Sequence, residues 1–238
     1  MRRLLHIPII HGPADMGSAR NTLRCAYAER GGEDIWEKSR SAIAEFWDAV
    51  ERAVDNLRLD CRKARLYQDG LPVCGLEEKI VRDLAMQGVP NHRILLKLME
   101  RGATLEGTEH PDLLRTEYAL IMNPVPGAND AGRTDRARAG QFRELLDQRD
   151  RFIARRIDVT LAQDETGILF LGAMHRAPER LPDSIGVVSL PQMLRSQMAS
   201  ANGVPDPGQG PSRQIGALAR ARPSPAFPGR RREATGTE

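Results

Sequence analysis

Cysteine is scarce and poorly spaced for metal or disulfide chemistry. Cys25, Cys61 and Cys74 form an odd set with no Cys-x-x-Cys pair, which argues against a zinc ribbon and a disulfide framework. No apolar run approaches the roughly 18 to 20 residues that a membrane span needs. The chain also lacks a G-x-G-x-x-G fingerprint and a P-loop lysine. The glycine-containing loop at 12–17 is therefore weak evidence for a nucleotide, although an anion would suit the start of the helix expected after it. Internal repeats are absent. The opening Met1-Arg-Arg-Leu-Leu-His-Ile-Pro-Ile-Ile has the basic start of a secretion signal, but its apolar run is short and is interrupted by His6 and Pro8. A first β-strand and a cytoplasmic location are the expectations.

Hydrophobic residues make up 40% of the 238 before the 21 glycines are added, the share of an ordinary globular protein. The net charge of +3 is unevenly placed. Residues 203–238 hold six arginines, no lysine and three acids, so this tail carries the whole excess and residues 1–202 are neutral. The tail also holds six of the sixteen prolines and six glycines, a composition that cannot bury enough apolar surface to offset chain entropy. The expected organisation is one α/β domain over 1–200 and a disordered basic tail over 201–238. Nucleic acid is not an expected partner beyond weak contacts by that tail.

Strand and helix patterns alternate. Strands are expected at Leu4–Ile10, Ala64–Tyr67, Ala103–Glu106, Ile168–Leu171 and Gly186–Leu190. Helices are expected at Ser18–Arg30, Asp34–Leu59, Leu76–Met86, His92–Arg101, Asp112–Met122, Phe142–Leu161 and from Pro191 to about Ala199. In the second helix Ile43, Trp47, Val50, Val54 and Leu57 recur at three- and four-residue steps. Asn91 is placed to cap the fourth helix, Gly102 to close it, and Pro111 to open the next. Residues 123–140 read as a polar connection. The alternation predicts a mainly parallel sheet with helices on both faces.

Ligand sites in such sheets lie beyond the carboxyl ends of the strands. The expected strand ends offer His11 with Asp15 nearby, then Asp69, then Glu106 and Glu109, then His175. Imidazole and carboxylate together suit a divalent ion such as Zn²⁺, Mn²⁺ or Co²⁺. An ion held so lowers the pKa of bound water while a carboxylate serves as base. Taken singly, a strand-end histidine more often anchors a loop and a strand-end acid more often caps a helix; their joint placement raises the functional reading. His6 and His92 receive no role, His110 belongs to the turn before Pro111, and the three cysteines read as small buried hydrophobes.

The run Arg149-Asp-Arg-Phe-Ile-Ala-Arg-Arg-Ile157, then Thr166-Gly-Ile-Leu-Phe-Leu-Gly-Ala-Met-His175, then Leu181-Pro182, Ile185 and Val188 resembles the closing motif of the TraB/Tiki/erythromycin-esterase-like group. That motif is an Arg-Asn-containing helix, a hydrophobic strand ending in Gly-x-x-His, and a further strand. The resemblance covers about residues 141–190. Pro8-Ile-Ile-His11 stands where the group has its early Gly-x-x-His, with Pro for Gly, and Asp150 stands in place of Asn. The group's acidic residue corresponds to Asp69 or Glu106. The resemblance implies a metal-assisted hydrolase acting on a small molecule or peptide. His11 and His175 would be ligands or acid/base groups, and Arg149 would orient substrate or a carboxylate. Some members of the group are binding or regulatory proteins, so a non-catalytic ligand-binding protein using the same sheet edge is the other expectation.

Overall fold

A computed structural model of the chain describes residues 1–9, 33–122 and 131–193. The expected helix at 18–30, His11, Asp15, Cys25 and the tail lie outside the described residues.

Five strands form one all-parallel sheet in the order β3-β2-β4-β1-β5. They are β1 (Arg2–Ile9), β2 (Ala64–Gln68), β3 (Thr104–Leu105), β4 (Thr166–Gly172) and β5 (Ile185–Ser189). The helices are α1 (Glu33–Asn56), α2 (Glu77–Met86), α3 (Pro90–Glu100), α4 (Pro111–Met122) and α5 (Ala131–Thr160), with short 3-10 turns at Cys61–Lys63 and Ala177–Arg180. Alternate side chains leave opposite faces of a strand, and the two cores follow that rule. Leu5, Ile7, Ile9, Leu66, Ile168 and Phe170 face α1, α2 and α3, where Trp47, Val81, Ile94 and Leu98 pack. Leu4, Tyr67, Leu169 and Leu171 face α5, where Ile153, Ile157 and Leu161 pack. Helices thus cover both faces. β4 pairs with both β1 and β2, and its unbroken apolar run is what a central parallel strand requires.

The connections explain where a site can form. Those running from β1 to β2 and from β2 to β3 use the α1–α3 face. Those returning from β3 to β4 and from β4 to β5 use the α5 face. A single hand of crossover imposes this arrangement. The chain therefore leaves β2 toward one face and β4, its neighbour, toward the other. This reversal between neighbouring carboxyl ends is where α/β sheets place their ligand sites.

Local chemistry sets the helix ends. After α2, Gly88 at φ 84° lets its N–H reach Ala85 O and the Val89 N–H reach Leu84 O. After α3, Gly102 at φ 101° does the same with Met99 O and the Ala103 N–H with Leu98 O. Both are paired C-terminal closures that need a left-handed residue. Asn91 is not the cap of α3. The helix starts two residues earlier because Pro90 occupies its first turn behind Val89, a position proline favours; Asn91 is buried instead, its Oδ1 3.2 Å from His92 Nδ1. The expected connection at 123–140 is shorter than its polarity suggested, because α5 begins at Ala131. The residues 131–140 are rich in Ala and Arg, good helix formers. Arg138 also ties the helix down, donating to Leu120 O at 2.6 Å and lying over the Phe142 ring. Among the described residues no helix is long and apolar enough to cross a membrane.

Burial drives the His92 imidazole down to about 4, so between pH 6.5 and 4 the unfolded chain takes up a proton that the folded chain refuses. Stability is expected to fall by about 3 kcal/mol over that window. Urea unfolding at several pH values checks this: His92→Gln should show a shallower acid dependence, and parallel curves would sink the assignment.

Candidate functional site

A chain of ionisable side chains is buried at the carboxyl ends of β2 and β4. Asp69 follows β2 directly, and its Oδ2 accepts the Gly172 N–H at 2.9 Å, joining the ends of β2 and β4. Gly70 then turns the backbone at φ 75°. The segment after it runs beside the segment after β3, bridging at Pro72 and Glu109. Thr108 Oγ1 accepts the Gln68 N–H, and the Leu71 carbonyl accepts both the Thr108 and Glu109 N–H groups. These bonds turn Glu109 inward until its side chain is 0% exposed.

Helix α5 supplies the centre. Arg149 lies four residues before Ile153 and eight before Ile157, on the face that packs against the sheet. Its guanidinium makes a fork with Glu109, Nε to Oε2 at 2.7 Å and Nη2 to Oε1 at 2.5 Å. Nη2 also reaches Asp69 Oδ1 at 2.8 Å, and Nη1 reaches Glu117 on α4 at 2.6 Å. Glu109 Oε1 accepts the Gly70 N–H as well. Burial disfavours the Arg149 charge, but Glu109, Asp69 and Glu117 raise its pKa above the ordinary value. Burial pushes the Glu109 carboxyl up, with Arg149 and the Gly70 N–H holding against it.

The next residue on α5, Asp150, holds His175. A turn after β4, closed by the His175 N–H on Gly172 O, brings the imidazole back over the sheet edge. Its Nδ1 lies 2.7 Å from Asp150 Oδ1, and its Nε2 lies 3.6 Å from Asp69 Oδ1. Asp150 Oδ2 accepts the Arg176 N–H at 2.8 Å. Burial opposes the imidazole proton, but Asp150 and then Asp69 outweigh it, and the pKa is pushed up to about 9. Only Glu117 in this network is appreciably open, at 30%.

Of the residues expected at the site, Asp69, Glu109, Arg149 and His175 come together. Glu106 does not join them; it pairs with Arg65 and Arg156, and Arg65 extends that cluster to Glu165 at 2.6 Å. His11 lies outside the described residues. His110 behaves as a turn residue, its Nδ1 accepting the Asp112 N–H at 3.1 Å. Cys61 is buried as expected, whereas Cys74 is exposed, because Glu77 binds the Cys74 and Gly75 N–H groups and holds that turn at the surface. Two participants were not singled out as site residues from sequence. Asp150 was visible only as a departure from the resemblance motif, and Glu117 gave no signal.

Asp69, Glu109 and His175 each offer a ligand atom, all within 4.8 Å of one another. Arg149 already occupies both Glu109 oxygens and Asp69 Oδ1. The loop beneath is tight: a Cβ on Gly107 would lie 2.8 Å from Val73 Cα and 3.0 Å from Pro72 O, backbone atoms that cannot rotate away. Gly107→Ala is expected to lower stability by about 1–3 kcal/mol, measured by denaturant unfolding; an unchanged midpoint would show that this loop yields.

No protein family, curated protein or solved structure matches the chain.

Proposed function

We propose that the chain is a hydrolase of the TraB/Tiki/erythromycin-esterase-like type, acting on a small molecule or peptide at the carboxyl edge of its sheet. The observation that carries this is the Asp150–His175 pair, set beside Asp69 at the carboxyl ends of β2 and β4. A carboxylate on one ring nitrogen fixes the imidazole's orientation and leaves the other nitrogen to exchange a proton with a bound substrate. His175 Nε2, 3.6 Å from Asp69 Oδ1, is that atom, and a substrate would share it with Asp69. Asp150 positions the ring, and Arg149 with Asp69 fixes the polar wall opposite. The resemblance over 141–190 supports the same assignment, with Asp150 taking the place of the group's Asn.

A second reading has its own support. Glu109 is fully enclosed and both its oxygens are held by Arg149, as in a network that shapes a binding site without turning anything over. On that reading the chain is a non-catalytic ligand-binding or regulatory protein using the same edge.

The deciding experiment is a hydrolysis screen of the purified chain against carboxylic esters, lactones and short peptides, with His175→Ala in parallel. Turnover by the wild type that vanishes in the variant is expected. Ligand-induced thermal stabilisation without turnover across the panel would favour the binding protein.

A further inference from the structure

The metal expected from the strand-end residues has a rival already in place. We infer that the Arg149 guanidinium is the site's resident cation and that it excludes a divalent ion from Asp69, Glu109 and His175. A divalent ion on those three groups must draw lone pairs from Glu109, from Asp69 and from His175 Nε2, whose ligand atoms lie within 4.8 Å of one another. Two of the three donors are already engaged by the guanidinium. Glu109 gives Oε2 to Arg149 Nε and Oε1 to Nη2, and Oε1 also takes the Gly70 N–H. Asp69 gives Oδ1 to the same Nη2 and Oδ2 to the Gly172 N–H.

The third donor is compromised differently. His175 has a carboxylate oxygen opposite each ring nitrogen, Asp150 at 2.7 Å and Asp69 at 3.6 Å. Each ring nitrogen therefore already faces a carboxylate oxygen of the network rather than an open position.

The guanidinium also cannot easily step aside. Its third contact, Nη1 to Glu117 at 2.6 Å, closes the fork on the one open flank, and the side chain is 5% exposed. A planar five-donor cation matches several carboxylates at fixed angles. A spherical ion entering the site must displace the guanidinium from these carboxylates and leave it buried with fewer partners, which is costly. The inference holds whether or not the site turns over a substrate, since it concerns only which cation the carboxylates hold.

The test is metal binding by the full chain, stripped with chelator and then titrated with Zn²⁺, Mn²⁺ and Co²⁺, read by elemental analysis after desalting and by thermal shift. Wild type and Arg149→Lys, which keeps a cation in place, are expected to retain well under one equivalent and to show no rise in melting temperature. Arg149→Met removes the guanidinium from Glu109 and Asp69 Oδ1, and is expected to bind about one equivalent and to rise by about 5 °C or more at saturating ion. One equivalent of ion on the wild type, lost in Asp69→Asn, overturns the inference. So does an Arg149→Met variant that folds yet gains no ion. If that variant does not fold, the wild-type titration decides alone.

Discussion

Replacing Arg149 by methionine is expected to destabilise the fold by about 3–5 kcal/mol, the cost of removing one partner from a buried ion pair. The magnitude comes from what remains. Glu109, with a fully enclosed side chain, would keep only the Gly70 N–H for its two oxygens, and Asp69 Oδ1 would lose its closest cationic partner. Methionine fills most of the volume, so the loss is electrostatic rather than a cavity. A second substitution distinguishes the two. Glu109→Gln in the Arg149→Met background removes the stranded charge and is expected to restore part of the loss, giving a coupling of 1 kcal/mol or more, about the range of contacting pairs. Denaturant unfolding of wild type, both single variants and the double variant completes the cycle. A single variant within about 1 kcal/mol of wild type would mean that the carboxylates find other donors, and the network would not be the fold's clamp.

This clamp was only half legible in the sequence, and particular residues show why. Alternating strand and helix patterns place Asp69, Glu109 and His175 at carboxyl ends of parallel strands, because topology alone collects such residues on one edge. Arg149 is legible through its place in the 149–157 run. The choice between Glu106 and Glu109 is not. Both follow β3, three residues apart, and only the bridge between Pro72 and Glu109 with the bonds around Thr108 turns the second inward. Glu106 meets Arg65 and Arg156 instead. Those are long-range pairings that no local pattern encodes. Glu117 was invisible for a related reason: α4 buries no residue completely, so no apolar stripe marks which face it turns toward the site.

The eleven residues before Phe142 show propensity overriding punctuation. The prolines and first glycine that suggest a loop lie at 124–127, while the Ala- and Arg-rich stretch from Ala131 continues α5 upstream. Asn91 shows the reverse. A good capping residue was displaced by the proline before it, whose fixed φ suits a first helical turn better than any cap it would follow.

On the hydrolase reading proposed above, His175→Ala is expected to lower turnover by about 10²–10⁴-fold, the usual contribution of a positioned acid or base, with the fold retained. Asp150→Asn is the more informative change. The amide can still accept from His175 Nδ1, but its NH₂ then faces the Arg176 N–H, donor against donor, where a carboxylate oxygen accepted at 2.8 Å. Loss of orientation and of charge together is expected to lower turnover by about 10²-fold or more. The pH profile separates that effect from simple damage to the fold. Burial disfavours the protonated ring, and the Asp150 hydrogen bond, with Asp69 beside it, holds the pKa at about 9. In the wild type the limb of kcat governed by His175 should fall at about pH 9, and in Asp150→Asn it should move to lower pH, with Asp69 as the remaining support of the imidazole proton. Folding stability should follow the same sign. The raised pKa stabilises the wild type fully below pH 6.5, and that contribution is lost as pH rises to 9. Asp150→Asn should flatten that alkaline decline. A variant that loses turnover while its pH limb stays near 9 would remove Asp150 from the proton's control and leave it a structural residue.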